Sequence, residues 1–177
     1  MLIGLTGPSG SYKTQVAKHL ERAHGFDRLH AGAPAKAAIR AASGMTRKEV
    51  RASKKRATMR LAGANTRELH EAVSEAMHAA APELTAMRLQ RRVAKCMGKG
   101  KNCVVDGVRS PLEAATLQRM GGMIVRADNG KPADPAKPMD RMQATVKECY
   151  TIDTSAGKKA RRGAVDSMVN DLRNCNT

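Results

Sequence analysis

Short apolar runs alternate along this chain with longer stretches in which apolar residues recur every three or four positions. The first run is Met1-Leu2-Ile3-Gly4-Leu5. It passes through Thr6-Gly7-Pro8-Ser9-Gly10-Ser11-Tyr12-Lys13-Thr14 into a segment where Val16, Ala17, Leu20 and Ala23 fall at helical spacing. That spacing predicts a helix over 13–24, ended by Gly25. Residues 26–30 are expected to form a short strand. Pro34 suits a helix start, and the alanine-rich stretch 35–43 predicts a helix stopped by Gly44. Thr46-Arg47-Lys48-Glu49 has the form of a capping box opening a basic helix. Asn65-Thr66-Arg67-Glu68 predicts another helix start, running to about residue 81. Pro82 opens the next helix, to about Met97, and 98–102 reads as a turn.

Cys103-Val104-Val105 is a second apolar run, ending in Asp106-Gly107. It reads as a central parallel strand with an acid at its carboxyl end. Ser110 as cap and Pro111 in the first turn predict a helix through Met120, closed by Gly121-Gly122. Residues 123–126 form another buried strand. Segment 128–140 carries three prolines and is expected to be a loop. A last helix is predicted over 165–173. Alternating strands and helices predict an α/β fold: a parallel sheet with helices on both faces and its site at the carboxyl ends of the strands. The length of 177 residues fits one domain, 1–177, with a helical region at about 34–97.

The first fourteen residues carry the sharpest chemistry. Strand, glycine-rich turn, lysine, hydroxyl and helix, in that order, build a cradle for the phosphates of a nucleoside triphosphate. Gly7, Pro8, Ser9, Gly10, Ser11, Tyr12, Lys13 and Thr14 form the candidate cradle. Its amides would point at phosphate oxygens, Lys13 would reach the β/γ-phosphates, and the Thr14 hydroxyl would hold Mg²⁺. Tyr12 departs from the motif, which calls for glycine before the lysine. Either the loop is reshaped there or the tyrosine occupies an allowed backbone region.

Asp106 is the second half of the candidate site. A carboxylate at the end of a strand beside a phosphate loop can hold Mg²⁺ or accept a proton from an attacking hydroxyl. The same residue could simply cap the turn that follows. Arg109, three residues on, is expected in the same crevice, where its planar fork suits phosphate. Lys36 and Arg67 are further substrate-side candidates, although a helix-start arginine can equally be a surface residue.

Charge changes the picture. Thirty-two Lys and Arg face sixteen Asp and Glu, a net charge of +16. The excess is concentrated in 36–60, 88–101 and 158–162. A polyanionic partner, DNA, would explain it, and a solvated surface is the plainer alternative. Aromatic residues make up only 2% of the chain, so base stacking can contribute little and backbone phosphates would carry any such binding. No apolar stretch is long enough to span a membrane, and the N-terminus lacks the features of a signal peptide. Cys96, Cys103, Cys149 and Cys175 are scattered without a CxxC pair. They are expected to be reduced thiols in a cytoplasmic protein, with no zinc site.

The segment Val104-Val105-Asp106-Gly107-Val108-Arg109-Ser110-Pro111-Leu112-Glu113-Ala114 resembles the Asp-Val-Arg-x-Pro-x-Glu-Ala signature of phage deoxynucleoside monophosphate kinases, with Gly107 inserted after the aspartate. Leu117, Gly121-Gly122 and Ile124-Val125-Arg126 continue the likeness. Ala33-Pro34-Ala35-Lys36-Ala37-Ala38, Gly44 and Thr66-Arg67-Glu68-Leu69 resemble the acceptor-side helices of that group. The similarity covers most of residues 1–127 and fades beyond. The chain's size and charge are also similar to those of the related phage kinases that phosphorylate 5-hydroxymethyluracil in DNA. These resemblances imply a P-loop NTPase fold of the nucleotide-kinase type, with ATP and Mg²⁺ as cofactors. The implied acceptor is 5-hydroxymethyluracil in DNA, or alternatively a free deoxynucleoside monophosphate. The location implied is the cytoplasm, that of the host if the gene is a phage's. A DNA-binding P-loop protein without kinase activity is a third reading.

Overall fold

The computed structural model describes residues 1–54 and 56–174, apart from the side chains of Arg60, Pro138 and Met139. Five parallel strands form one sheet: β1 (Leu2–Thr6), β2 (Asp27–His30), β3 (Cys103–Asp106), β4 (Met123–Asp128) and β5 (Tyr150–Asp153). Their spatial order is β2-β3-β1-β4-β5. The first strand is therefore the middle one, paired on both edges. Leu5 lies beside Asp106 on one side, and Thr6 beside Arg126 on the other.

Side-chain alternation along the strands separates two cores. Ile3, Leu5, Val104, Val125 and Ala127 face one side. There they meet helices α1 (Lys13–His24) and α8 (Lys158–Asn174) through Val16, Leu20, Val165 and Met168. Leu2, Cys103, Val105 and Ile124 face the other side. Leu117 of α6 (Pro111–Arg119) and Leu89 and Val93 of α5 (Pro82–Met97) cover them. This is the α/β arrangement expected from the alternation of elements, with helices on both faces.

The chain divides into two compact units, Met1–Ala31 with Ala86–Thr177, and Gly32–Thr85. The sheet belongs to the first. The second is helical: α2 (Ala33–Ser43), α3 (Arg47–Ala52), a 3₁₀ turn at Met59–Leu61 and α4 (Thr66–Ala80). Its own small core gathers Ile39, Met45 and Leu61, with Val50, Leu69 and Val73 against them. The Thr66 hydroxyl donates to Val50 O at 2.8 Å and pairs with the Ser53 hydroxyl at 2.9 Å, which ties α4 to α3.

Three elements differ from the sequence-based expectation. The 128–140 segment is not all loop, because α7 (Pro138–Ala144) starts inside it with proline in its first turn. β5 was not foreseen, since only Ile152 of its four residues is buried and no apolar run marks it. The last helix begins at Lys158 rather than 165, because its first turns are basic and lack an apolar stripe. Cys96 and Cys103 are buried free thiols, Cys149 is an exposed one, and Cys175 lies outside the described residues. Among the described residues, no helix is long and apolar enough to cross a membrane.

Candidate functional site

The loop between β1 and α1 sits at the carboxyl end of the middle strand. Gly7 takes φ +127°, and a Cβ there would lie 2.3 Å from Ala127 O, so only glycine lets the loop pack against β4. Tyr12 caps α1 with φ 59° and ψ 16°, in the left-handed region. The tyrosine thus occupies an allowed but costly backbone region, and the loop keeps the turn that glycine usually makes. A non-glycine residue there costs about 1–2 kcal/mol. The Tyr12 ring lies under the Arg161 guanidinium, 3.7 Å from its centroid. A cation–π contact of that kind gives back about 0.5–2 kcal/mol, which comes close to cancelling the strain.

Arg161 is itself anchored. It donates to Thr154 O at 3.1 Å, Ala156 O at 3.0 Å and Gln15 Oε1 at 2.7 Å. The Thr154 hydroxyl is within 3.1 Å of Ser11 O and 2.8 Å of Asp128 O. The segment after β5 therefore braces the loop from the side. Thr154 carries no sequence signal, and Arg161, expected within the basic run 158–162 to face DNA, is instead 8% exposed, because its guanidinium is used inside the protein.

Lys13 folds back over the loop. Its Nζ donates to Gly7 O and Pro8 O, both at 2.6 Å, and to the Ser11 hydroxyl at 3.2 Å. Burial pushes its pKa down to about 8. The carboxylates of Asp106 and Asp140 oppose that shift, while Arg109 and Arg126 add to it. The start of α1 has no side-chain cap and no acid in its first turn. Its positive dipole end is thus left to whatever anion the loop receives.

Asp106 is 3% exposed at the end of β3, and its Oδ2 accepts from the Thr14 hydroxyl at 2.9 Å. Gly107 follows with φ +81°, which bends the chain so that the N–H groups of Gly107 and Val108 both reach Leu5 O, at 3.2 and 2.9 Å. The extra glycine is accommodated by this turn. Ser110 caps α6, and Glu113 completes a capping box. The buried Glu113 carboxylate also accepts from the Arg109 amide at 2.8 Å. The Arg109 backbone is therefore fixed, and its charge is felt at Lys13.

Asp140, on α7, was not singled out in the sequence. It is 2% exposed, and its Oδ1 accepts from Ser9 N at 3.0 Å and Ser9 Oγ at 2.8 Å. It holds the outer half of the phosphate loop. Proline at the helix start with an aspartate two residues on was the available signal, lost among neighbouring prolines. The sheet unit thus brings together Gly7 to Thr14, Asp106 and Arg109. Lys36 and Arg67 lie in the helical unit, on α2 and α4. Lys36 is exposed, and Arg67 Nε donates to Glu71 Oε1 at 3.1 Å.

A glycine-rich loop leaving the middle strand of a parallel sheet, an uncapped helix carrying Lys13 and Thr14, and a strand-end aspartate bonded to that threonine define a P-loop nucleotide-binding domain. More narrowly, the chain belongs to the AAA domain family AAA_18, which matches residues 3–166. No curated protein matches it. Among solved structures it is similar to shikimate kinase from Aquifex aeolicus, at 15% identity over 99% of this chain and 98% of that one, with a TM-score of 0.48. Shikimate kinase from Acinetobacter baumannii in complex with shikimate gives 16% identity, 98% and 93% coverage and a TM-score of 0.47. A variant of APS kinase from Mycobacterium tuberculosis gives 15%, 96% and 96%, and 0.45.

Proposed function

We propose that the chain is an ATP- and Mg²⁺-dependent phosphotransferase. The observation that carries this is the Thr14–Asp106 contact beside a partly buried lysine at an uncapped helix start. The loop residues Gly7 to Thr14 would hold the phosphates of ATP. Thr14 and Asp106 oxygens would hold Mg²⁺, which offsets phosphate charge when bound. Lys13 stabilises the charge that builds on the transferred group. Asp106 is also the candidate base: it takes the proton of an acceptor hydroxyl as that oxygen bonds the γ-phosphorus, and the bond to the bridging oxygen of ADP breaks. Arg109 positions the acceptor, and Lys36 and Arg67 are acceptor-binding residues of the helical unit.

The acceptor we favour is the hydroxymethyl group of 5-hydroxymethyluracil in phage DNA, a step in thymidine hypermodification. The +16 net charge supports a polymeric substrate, because each neutralised backbone phosphate releases counterions. A base within a duplex would have to be flipped out to reach the site. The runs at 36–60, 88–101 and 158–162 are the DNA-facing candidates, except the buried Arg161; Lys55 and the Arg60 side chain lie outside the described residues. Such an enzyme works in the cytoplasm, where ATP and DNA meet.

The test is transfer of labelled γ-phosphate from ATP. Label is expected on hydroxymethyluracil DNA and not on free deoxynucleotides, and Lys13→Ala should remove it. Label on free deoxynucleoside monophosphates alone would make the chain a monophosphate kinase. Transfer to neither, with salt-sensitive DNA binding intact, would leave a non-kinase P-loop protein.

A further inference from the structure

A groove of about 590 Å³ opens beside the packed faces of α1 and α8. Lys18 and Arg22 stand on its α1 wall, and Lys158 and Arg162 on its α8 wall. Each pair is four residues apart, so its two charges share a helix face, roughly 5–6 Å apart at Cβ. All four side chains are exposed. No described carboxylate lines the groove, and none meets these four cations within ion-pair distance. The acids of the two helices are engaged elsewhere. Glu21 faces Arg28 at 3.5 Å, Asp166 bonds His19 and His24 at 2.7 Å each, and Asp171 accepts from the Tyr150 hydroxyl at 2.9 Å.

We propose that this groove seats the sugar-phosphate backbone of a nucleic acid. A surface that only keeps a chain dispersed interleaves both signs; here four uncompensated cations face each other across a concavity and concentrate one sign of field. Two like pairs on opposing walls suit a linear polyanion running between the helices. An anionic membrane is the poorer fit, because the groove is concave and offers no large exposed apolar side chain to enter the acyl layer. The proposal rests on the polymer-acceptor reading for its choice of partner, and it names the place where that polymer would dock.

The test is anisotropy of a labelled DNA duplex against the full chain, without ATP, between about 50 and 200 mM salt. Lys18→Ala/Arg22→Ala and Lys158→Ala/Arg162→Ala should each flatten the slope of log K against log salt by about 1.8, two phosphates' worth. The charge-keeping pair Lys18→Arg/Arg22→Lys should restore it. An unchanged slope in both neutralised variants overturns the groove. So does binding of phosphatidylserine vesicles that the variants lose while their DNA binding stays the same. A flattened slope with no phosphoryl transfer to DNA would remove the DNA-acceptor reading and leave the groove standing. Transfer with an unchanged slope would do the reverse.

Discussion

The helix starts of this molecule fall into two kinds. At α3, α4 and α6 the cap is Thr46, Asn65 or Ser110, and in each case a glutamate three residues on completes a capping box. At α1 there is neither cap nor acid, and the capping position is a left-handed tyrosine. The starts of α2 and α7 also lack a side-chain cap. What sets α1 apart is that its uncapped start follows the glycine-rich loop and carries Lys13 and Thr14. The difference teaches that an open start joined to the loop and to Asp106 is where binding energy is to come from outside the chain, while the capped starts hold the frame.

Breaking the open start should have the largest effect. Lys13→Met is expected to lower the rate of phosphoryl transfer by about 100-fold or more, since it removes a preorganised charge at the reacting group. In the nucleotide-free chain the same change should stabilise. A lysine whose folded pKa lies near 8, below its unfolded value of 10.5, costs stability at neutral pH. That cost fades as pH rises through the window between the two. Chemical denaturation at pH 7 should therefore show Lys13→Met more stable by roughly 1–3 kcal/mol, with the gap closing by pH 10.5. A gap that is constant with pH would mean that the lysine is not desolvated.

Asp140→Ala comes next. It strips Ser9 of both bonds that hold the outer loop, and unfolding should register about 1–3 kcal/mol with a weaker affinity for ATP. At a closed start, Ser110→Ala should cost about 1 kcal/mol in the same measurement and leave ATP affinity unchanged. If it weakened ATP binding as much as Asp140→Ala, the division into frame and receiver would fail. The smallest effect is expected for Tyr12→Gly. Relief of the left-handed strain and loss of the Arg161 contact oppose each other, so stability should move by less than about 1 kcal/mol.

Much of the sheet unit could be read from the chain because local pattern and tertiary environment agree there. β1, β3 and β4 are buried on both faces, so they read as apolar runs. The capping box at Thr46 and the cap at Ser110 are local chemistry, visible without any distant neighbour. β5 and α7 escaped because what holds them is distant. Ile152 is the only buried residue of its strand, and Asp140 is explained by Ser9, 131 positions away. The cradle was legible as a motif. The brace around it was not, because Arg161 draws its meaning from Tyr12, Gln15 and Thr154 together.

The position of β1 in the sheet has a further consequence. All five of its residues are buried, and it is hydrogen-bonded along both edges. Its amides can exchange with solvent only when the entire sheet opens, so deuterium uptake at Leu2–Thr6 should follow global unfolding. Variation can thus remodel the lip of the cradle freely, whereas its stem is as durable as the molecule.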